Sequence, residues 1–226
     1  MDLTSRSSLL VFDVDGVLVD VSESYRAAIV ATVRDFTSQT PAPAVIQSYK
    51  NSGGWNNDWE LAQRIVLDLS QRTVPYAEVV EVFQSHFLGT ANDGLILRER
   101  WLPKAGFLER LAGAHALAIF TGRPRAELAW TLGRFAPSIA WSEIIADGEV
   151  PAAKPAPDGL LAIQSRHADA TLTYVGDTVD DARSARAAGV RFIGVADPRH
   201  DGLANLLRAE GAIATVENVN QLEEVL

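Results

Sequence analysis

Two carboxylates one residue apart, Asp13-Val14-Asp15, follow directly on a short apolar run. A second acidic group, Gly176-Asp177-Thr178-Val179-Asp180-Asp181, follows another such run. A third ends in Thr121-Gly122-Arg123, and Lys154 stands between Pro151, Pro155 and Pro157 on a loop with little freedom in φ. Residues i and i+2 of an extended chain project to the same side, so Asp13 and Asp15 can face one site. Two like charges about 4 Å apart repel by roughly 4 kcal/mol at an effective dielectric near 20. Several carboxylates in one crevice therefore need a cation. All-oxygen ligands select a hard ion, Mg²⁺ above all. A threonine hydroxyl, free amides at a helix N-terminus and a lysine suit phosphate oxygens. A carboxylate not fully engaged by the metal can then attack phosphorus.

These residues need a scaffold that brings strand ends together. Leu9-Leu10-Val11-Phe12, Leu117-Ala118-Ile119-Phe120, Leu172-Thr173-Tyr174-Val175 and Phe192-Ile193-Gly194-Val195 are short apolar runs of the kind buried on both faces of a parallel sheet. Helical stretches lie between the later runs, including Ala182 to Ala188 with Gly189 as its C-terminal cap. Alternating strands and helices imply an α/β fold with a doubly wound parallel sheet, in which ligands bind at the carboxyl ends of the strands. Between about residues 21 and 100 the texture changes. Tyr25, Ile29, Val33 and Phe36 keep helical spacing, as do Leu61, Ile65 and Leu69, and Val79, Phe83 and Phe87. The expected organisation is a core over 1–20 and 101–226 with an all-helical cap domain inserted over 21–100. Asp20 with Glu23 reads as the N-terminal capping pair of the first cap helix. The two linkers suggest hinge closure of the cap.

The four motifs together resemble the signatures of the haloacid dehalogenase-like (HAD) hydrolases. Asp13-x-Asp15-Gly16-Val17, Thr121-Gly122, Lys154-Pro155-x-Pro157 and Gly176-Asp177-x-x-x-Asp181 occur in order. The position of the helical insert resembles the phosphoglycolate phosphatase and β-phosphoglucomutase branch. The resemblance implies a Rossmann-like core and a Mg²⁺-dependent phosphatase acting on a small phosphorylated metabolite. Asp13 would be the nucleophile that forms an aspartyl-phosphate, and Asp15 the acid and later the base. Thr121, Gly122 and Lys154 would hold the transferring phosphoryl group. Asp13, the backbone carbonyl of Asp15 and Asp177 would ligate Mg²⁺. Asp181 would support the metal or Lys154, or act as a helix N-terminal charge, and Asp180 would face the metal shell or solvent. A phosphomutase with the same nucleophile is the alternative outcome. A phospho-aspartate receiver domain is a remote one, because it needs neither the insert nor Asp15.

Other residues read more plainly. Arg123 and Arg125 are expected as solvated residues of a first helical turn. His86, His115, His167 and His200 lack ligand spacing. Lys50-Asn51-Ser52-Gly53-Gly54-Trp55-Asn56-Asn57-Asp58-Trp59 is either a glycine turn plus a capped helix or a loop that selects the leaving group. Lys50 or Arg64 would suit a second anionic group. Asp58 with Trp55 or Trp59 would suit a cationic or heteroaromatic one, such as an amino-alkyl imidazole phosphate. Gly54, Asn56 and Asn57 belong to the same candidate region.

The 226 residues are 47% hydrophobic and 22% charged, enough for a sizeable core, and contain no cysteine, which removes disulfides and thiolate chemistry. Twenty basic against 29 acidic residues give a net charge of −9, which disfavours nucleic acid and anionic membranes as partners. The start lacks the layout of a signal peptide and no run is long enough to span a bilayer, so a cytoplasmic location is expected.

Overall fold

The computed structural model describes residues 7–91 and 93–226. Residues 1–6, most of the start read for signal-peptide layout, lie outside the described residues, as does Asn92. The chain divides into two compact units, one running to Leu18 and resuming over Trp101–Leu226, the other Val19–Arg100.

In chain order, β1 (Ser7–Phe12) is followed by a short β2 (Val19–Asp20). Four helices come next: α1 (Tyr25–Thr37), α2 (Pro43–Ser52), α3 (Asp58–Ser70) and α4 (Tyr76–Phe87). A 3₁₀ turn (Leu95–Arg98) precedes β3 (Arg100–Trp101), which pairs with β2. The remainder alternates: α5 (Phe107–Ala114), β4 (Ala116–Phe120), α6 (Arg125–Phe135), β5 (Trp141–Ile145), α7 (Asp158–Arg166) and β6 (Ala170–Gly176). It continues with α8 (Val179–Ala188), β7 (Arg191–Val195), α9 (Leu203–Ala209) and β8 (Ala214–Val216), and ends in a second 3₁₀ turn (Val219–Glu224).

The larger unit is built on a six-stranded sheet in the order β5-β4-β1-β6-β7-β8, every pairing parallel. The runs that read as buried strands are β1, β4, β6 and β7. Leu9 to Phe12 are all fully buried, as a strand covered by helices on both faces requires. Register aligns the ends: Phe12 stands beside Ile119 on one side and Val175 on the other. The residues following β1, β4 and β6 therefore emerge at one edge. The chain passes from central β1 to strands on both sides, so this edge carries the topological switch where α/β sheets bind ligands.

In the smaller unit α1 packs on α3 and α4, burying Ile29 and Val33, Leu61 and Ile65, and Val79 and Phe83. Tyr25 stacks on Phe87 with ring centroids 4.1 Å apart. Asp20 does not cap α1. Its Oδ1 accepts from Ser22 N and Oγ at 3.0 and 2.6 Å, while Ser24 occupies the cap position without a side-chain bond. The carboxylate thus closes a turn ahead of the helix. No helix among the described residues is long and apolar enough to cross a membrane.

Candidate active site

Asp13 continues the sheet one residue past β1, its N–H donating to Val175 O at 2.8 Å. The side chain is almost wholly buried, and Lys154 Nζ lies 3.1 Å from its Oδ1. The same ammonium lies 2.7 Å from Asp181 Oδ1 and donates to the Tyr174 hydroxyl at 3.2 Å. Lys154 comes from the proline-flanked loop before α7, and its own peptide bond to Pro155 is cis. Asp181 belongs to the first turn of α8. Its Oδ2 accepts from the Thr178 backbone N–H at 3.0 Å and from the Thr178 hydroxyl at 2.6 Å, and Thr178 Oγ1 accepts from Asp181 N–H. That reciprocal pair is a capping box. Gly176 permits it, because a Cβ there would sit 2.5 Å from Asp181 Cβ.

Burial pushes the Asp13 carboxyl up to about 7, with the Lys154 charge opposing and the charges of Asp181 and Asp15 adding. Burial alone would lower Lys154, but Asp13 and Asp181 outweigh it and the ammonium is held charged. Asp181 shows the reverse balance. Burial raises it, and Lys154, Thr178 and Tyr174 bring it below the ordinary carboxylate range. Burial and the facing carboxylates keep the Tyr174 phenol neutral.

Asp13, Asp177 and Asp181 each place a carboxylate oxygen within 4.8 Å of the others. Both Asp181 oxygens already receive protein donors, so Asp181 braces Lys154 and the helix start and is a poor candidate for metal. Asp13 and Asp177 remain as carboxylates that could hold an ion, with the nearby carbonyl of Asp15. Asp177 is packed against Gly16, whose φ is +78°. A Cβ at that position would lie 2.0 Å from Asp177 Oδ2, so a glycine is required for this approach. Lys154 faces Asp13 and Asp181, and Arg123 faces Asp15. Carboxylates this close repel one another unless a cation lies among them. The donor set therefore fits Mg²⁺, a hard cation held by oxygens.

Thr121 is buried after β4, with its N–H on Ile145 O at 3.0 Å. Its Oγ1 accepts from Arg123 N–H at 3.2 Å, which leaves the hydroxyl proton to donate. Gly122 completes this turn, half-buried. Asp180 is buried in the first turn of α8. Arg123 departs from the sequence expectation. It is buried, and its guanidinium holds Asp15. A long cation at a helix start usually extends to water, but here a carboxylate on the neighbouring strand end meets it. Arg125 pairs with Glu149 at 2.5 Å.

In the smaller unit, Lys50 ends α2 and Asn57 caps α3, its Oδ1 accepting from Trp59 and Glu60 N–H. Lys50 Nζ lies 2.5 Å from Asp58 and donates to Trp55 O at 2.7 Å. Lys50 also reaches Asn56 O at 3.5 Å. Arg64 pairs with Asp68 at 2.8 Å, largely exposed. Gly54 has open space where a Cβ would project. The stretch thus forms a glycine turn and a capped helix, with Lys50 and Asp58 answering each other's charge.

The family model for haloacid dehalogenase-like hydrolases matches residues 8–189. The chain belongs to this family of hydrolases. A protein from Phytophthora nicotianae named imidazoleglycerol-phosphate dehydratase is 34% identical over 227 residues, covering 95% of this chain and 49% of its own. The chain thus spans about half the length of that curated relative. Among solved structures, a predicted phosphoglycolate phosphatase from Haemophilus somnus superposes with a TM-score of 0.77 at 17% identity, covering 98% of this HAD-like chain and 99% of its own. A β-phosphoglucomutase by designation, from Thermotoga maritima, gives 0.68 at 20% identity, with 97% and 100% covered. At these identities the likeness is one of fold.

Proposed function

We propose that the chain is a Mg²⁺-dependent phosphomonoesterase that works through an aspartyl-phosphate on Asp13. The observation that carries this reading is a buried Asp13 carboxylate held 3.1 Å from the Lys154 ammonium, with a second acid, Asp15, two residues on. Thr121 and Lys154 take the phosphoryl oxygens, the first through its hydroxyl proton and the second through its charge, with Gly122 in the same turn. Asp13 attacks phosphorus, and the bond to the ester oxygen breaks as Asp15 delivers a proton to it. Water then attacks phosphorus, gives its proton to Asp15 and releases phosphate and free Asp13. Asp13, the Asp15 carbonyl and Asp177 would hold Mg²⁺, which would supply charge neutralisation at the phosphoryl oxygens. Asp181 keeps Lys154 in place, and Asp180 supports the start of α8.

The leaving group is a small alcohol, and an imidazole-bearing one is favoured. The Phytophthora relative is named for a reaction on imidazoleglycerol phosphate, and this chain accounts for only 49% of it. Two parts joined in one polypeptide support related phosphate substrates.

The test is phosphate release from phosphoglycolate, sugar phosphates, nucleotides, imidazoleglycerol phosphate and histidinol phosphate, with Mg²⁺ or EDTA. Release that needs Mg²⁺ and disappears in Asp13→Asn is the expected result, greatest on the imidazole phosphates. Isomerised product without free phosphate would replace hydrolase by mutase. Turnover retained in a folded Asp13→Asn protein would remove the covalent mechanism.

A further inference from the structure

A guanidinium is costly to withdraw from water unless its charge and its donors are met. The Arg123 side chain has no solvent exposure. Its backbone is tied at both ends, the N–H to Thr121 Oγ1 at 3.2 Å and the carbonyl to Asp147 N–H at 3.1 Å. From that fixed base, Nε donates to Asp15 Oδ1 at 3.1 Å and Nη2 donates to the same oxygen. On the far side Nη1 donates to Thr131 Oγ1, buried in α6, at 2.6 Å. Both nitrogens facing Asp15 thus converge on one carboxylate oxygen instead of bridging the two. Oδ1 is taken; Oδ2 is the oxygen that Arg123 does not use. The Asp15 side chain keeps 29% exposure, so the carboxylate is gripped from the protein side and open on the other.

We infer that Arg123 is a positioning residue for the reaction. It fixes Asp15 in one rotamer through Oδ1, so that Oδ2 alone serves the leaving oxygen and then the attacking water. Among the described residues, Arg123 is the side-chain partner of the Asp15 carboxylate. Proton transfer needs a heavy-atom separation of about 2.6–3.2 Å, which a freely rotating carboxylate meets only part of the time. The planar fork of arginine suits this task, and Thr131 holds the fork from behind. A lysine would place one point charge there without the second bond. This inference rests on the proposed roles of Asp13 and Asp15.

The experiment compares two substrates with opposite needs. An alkyl phosphate leaves as a strongly basic alkoxide and requires a placed proton, whereas 4-nitrophenyl phosphate leaves as a weak base and does not. In Arg123→Met, kcat on the best alkyl phosphate of the panel is expected to fall about 100-fold, within the range supplied by a positioned acid. On 4-nitrophenyl phosphate it falls less than about fivefold, and KM for both stays within about threefold, because substrate binding is not what Arg123 provides. Arg123→Lys fails to restore the alkyl rate. Should Arg123→Met not fold, Thr131→Val carries the test, with a smaller loss of the same selectivity. Equal losses on both substrates in a folded variant, or a change confined to KM, would overturn the inference. Failure of the underlying reading shows separately, as turnover of 4-nitrophenyl phosphate that survives Asp13→Asn in the otherwise natural protein.

Discussion

Burial pushes the carboxyl of Asp13 up to about 7, against the attraction of Lys154. In the unfolded chain its value is the ordinary 3.8. Between those two values the folded protein holds a proton that the unfolded chain has lost. Stability from this group is therefore complete below about pH 4 and is lost as pH rises through about 7. Urea denaturation of the protein in EDTA at pH 5, 6 and 7 should show declining stability, and the decline should flatten in Asp13→Asn. A slope unchanged by the substitution would mean that the burial of Asp13 is not what sets it. Mg²⁺ should reverse the trend, since the ion competes with that proton and gains affinity as pH rises. Asp13, Asp15, Thr121 and Asp177 stand out in the sequence by residue type after apolar runs, and Lys154 by its proline-flanked loop. Arg123 does not. Its partner depends on β4 lying beside β1, so that Arg123 and Asp15 emerge from adjacent strands, and strand order is invisible in a linear pattern.

At the scale of single elements, α8 shows how a helix start is also a working part. Thr178 closes a capping box with Asp181, and Asp181 holds Lys154. Thr178→Ala removes both the cap acceptor and the 2.6 Å bond to Asp181 Oδ2. Loss of such a cap costs about 1–2 kcal/mol, to be read as a shift in the urea midpoint. It should also lower kcat, because the brace on Lys154 loosens, and Thr178→Ser should restore both. A stability loss with kcat unchanged would confine Thr178 to capping. The strands buried on both faces announced themselves as unbroken apolar runs, and α8 by its glycine cap. The edge strands β5, Trp-Ser-Glu-Ile-Ile, and β8, Ala-Thr-Val, gave no such signal. Each pairs on one side only, and β5 is partly exposed, so its composition is mixed. Helix α2 was hidden for a related reason: Ile46 is its one buried residue, too few to mark a face.

Across the whole molecule, a charge of −9 sets a field that opposes the approach of a phosphate ester. At the site itself, Lys154, Arg123 and a divalent ion would offset the carboxylates locally. Attraction is therefore short-ranged, while repulsion extends over the Debye length, about 30 Å at 0.01 M and 10 Å at 0.1 M ionic strength. Salt should then weaken the repulsion more than the attraction. With Mg²⁺ saturating, kcat/KM for a dianionic phosphate is expected to rise as ionic strength goes from 0.01 to 0.1 M. An electrostatically steered enzyme shows the opposite trend. A fall in kcat/KM over that range would mean that a basic surface guides the substrate despite the net charge. An uncharged competitor for the leaving-group site should show no such dependence, which separates the field of the molecule from effects of salt on its folding.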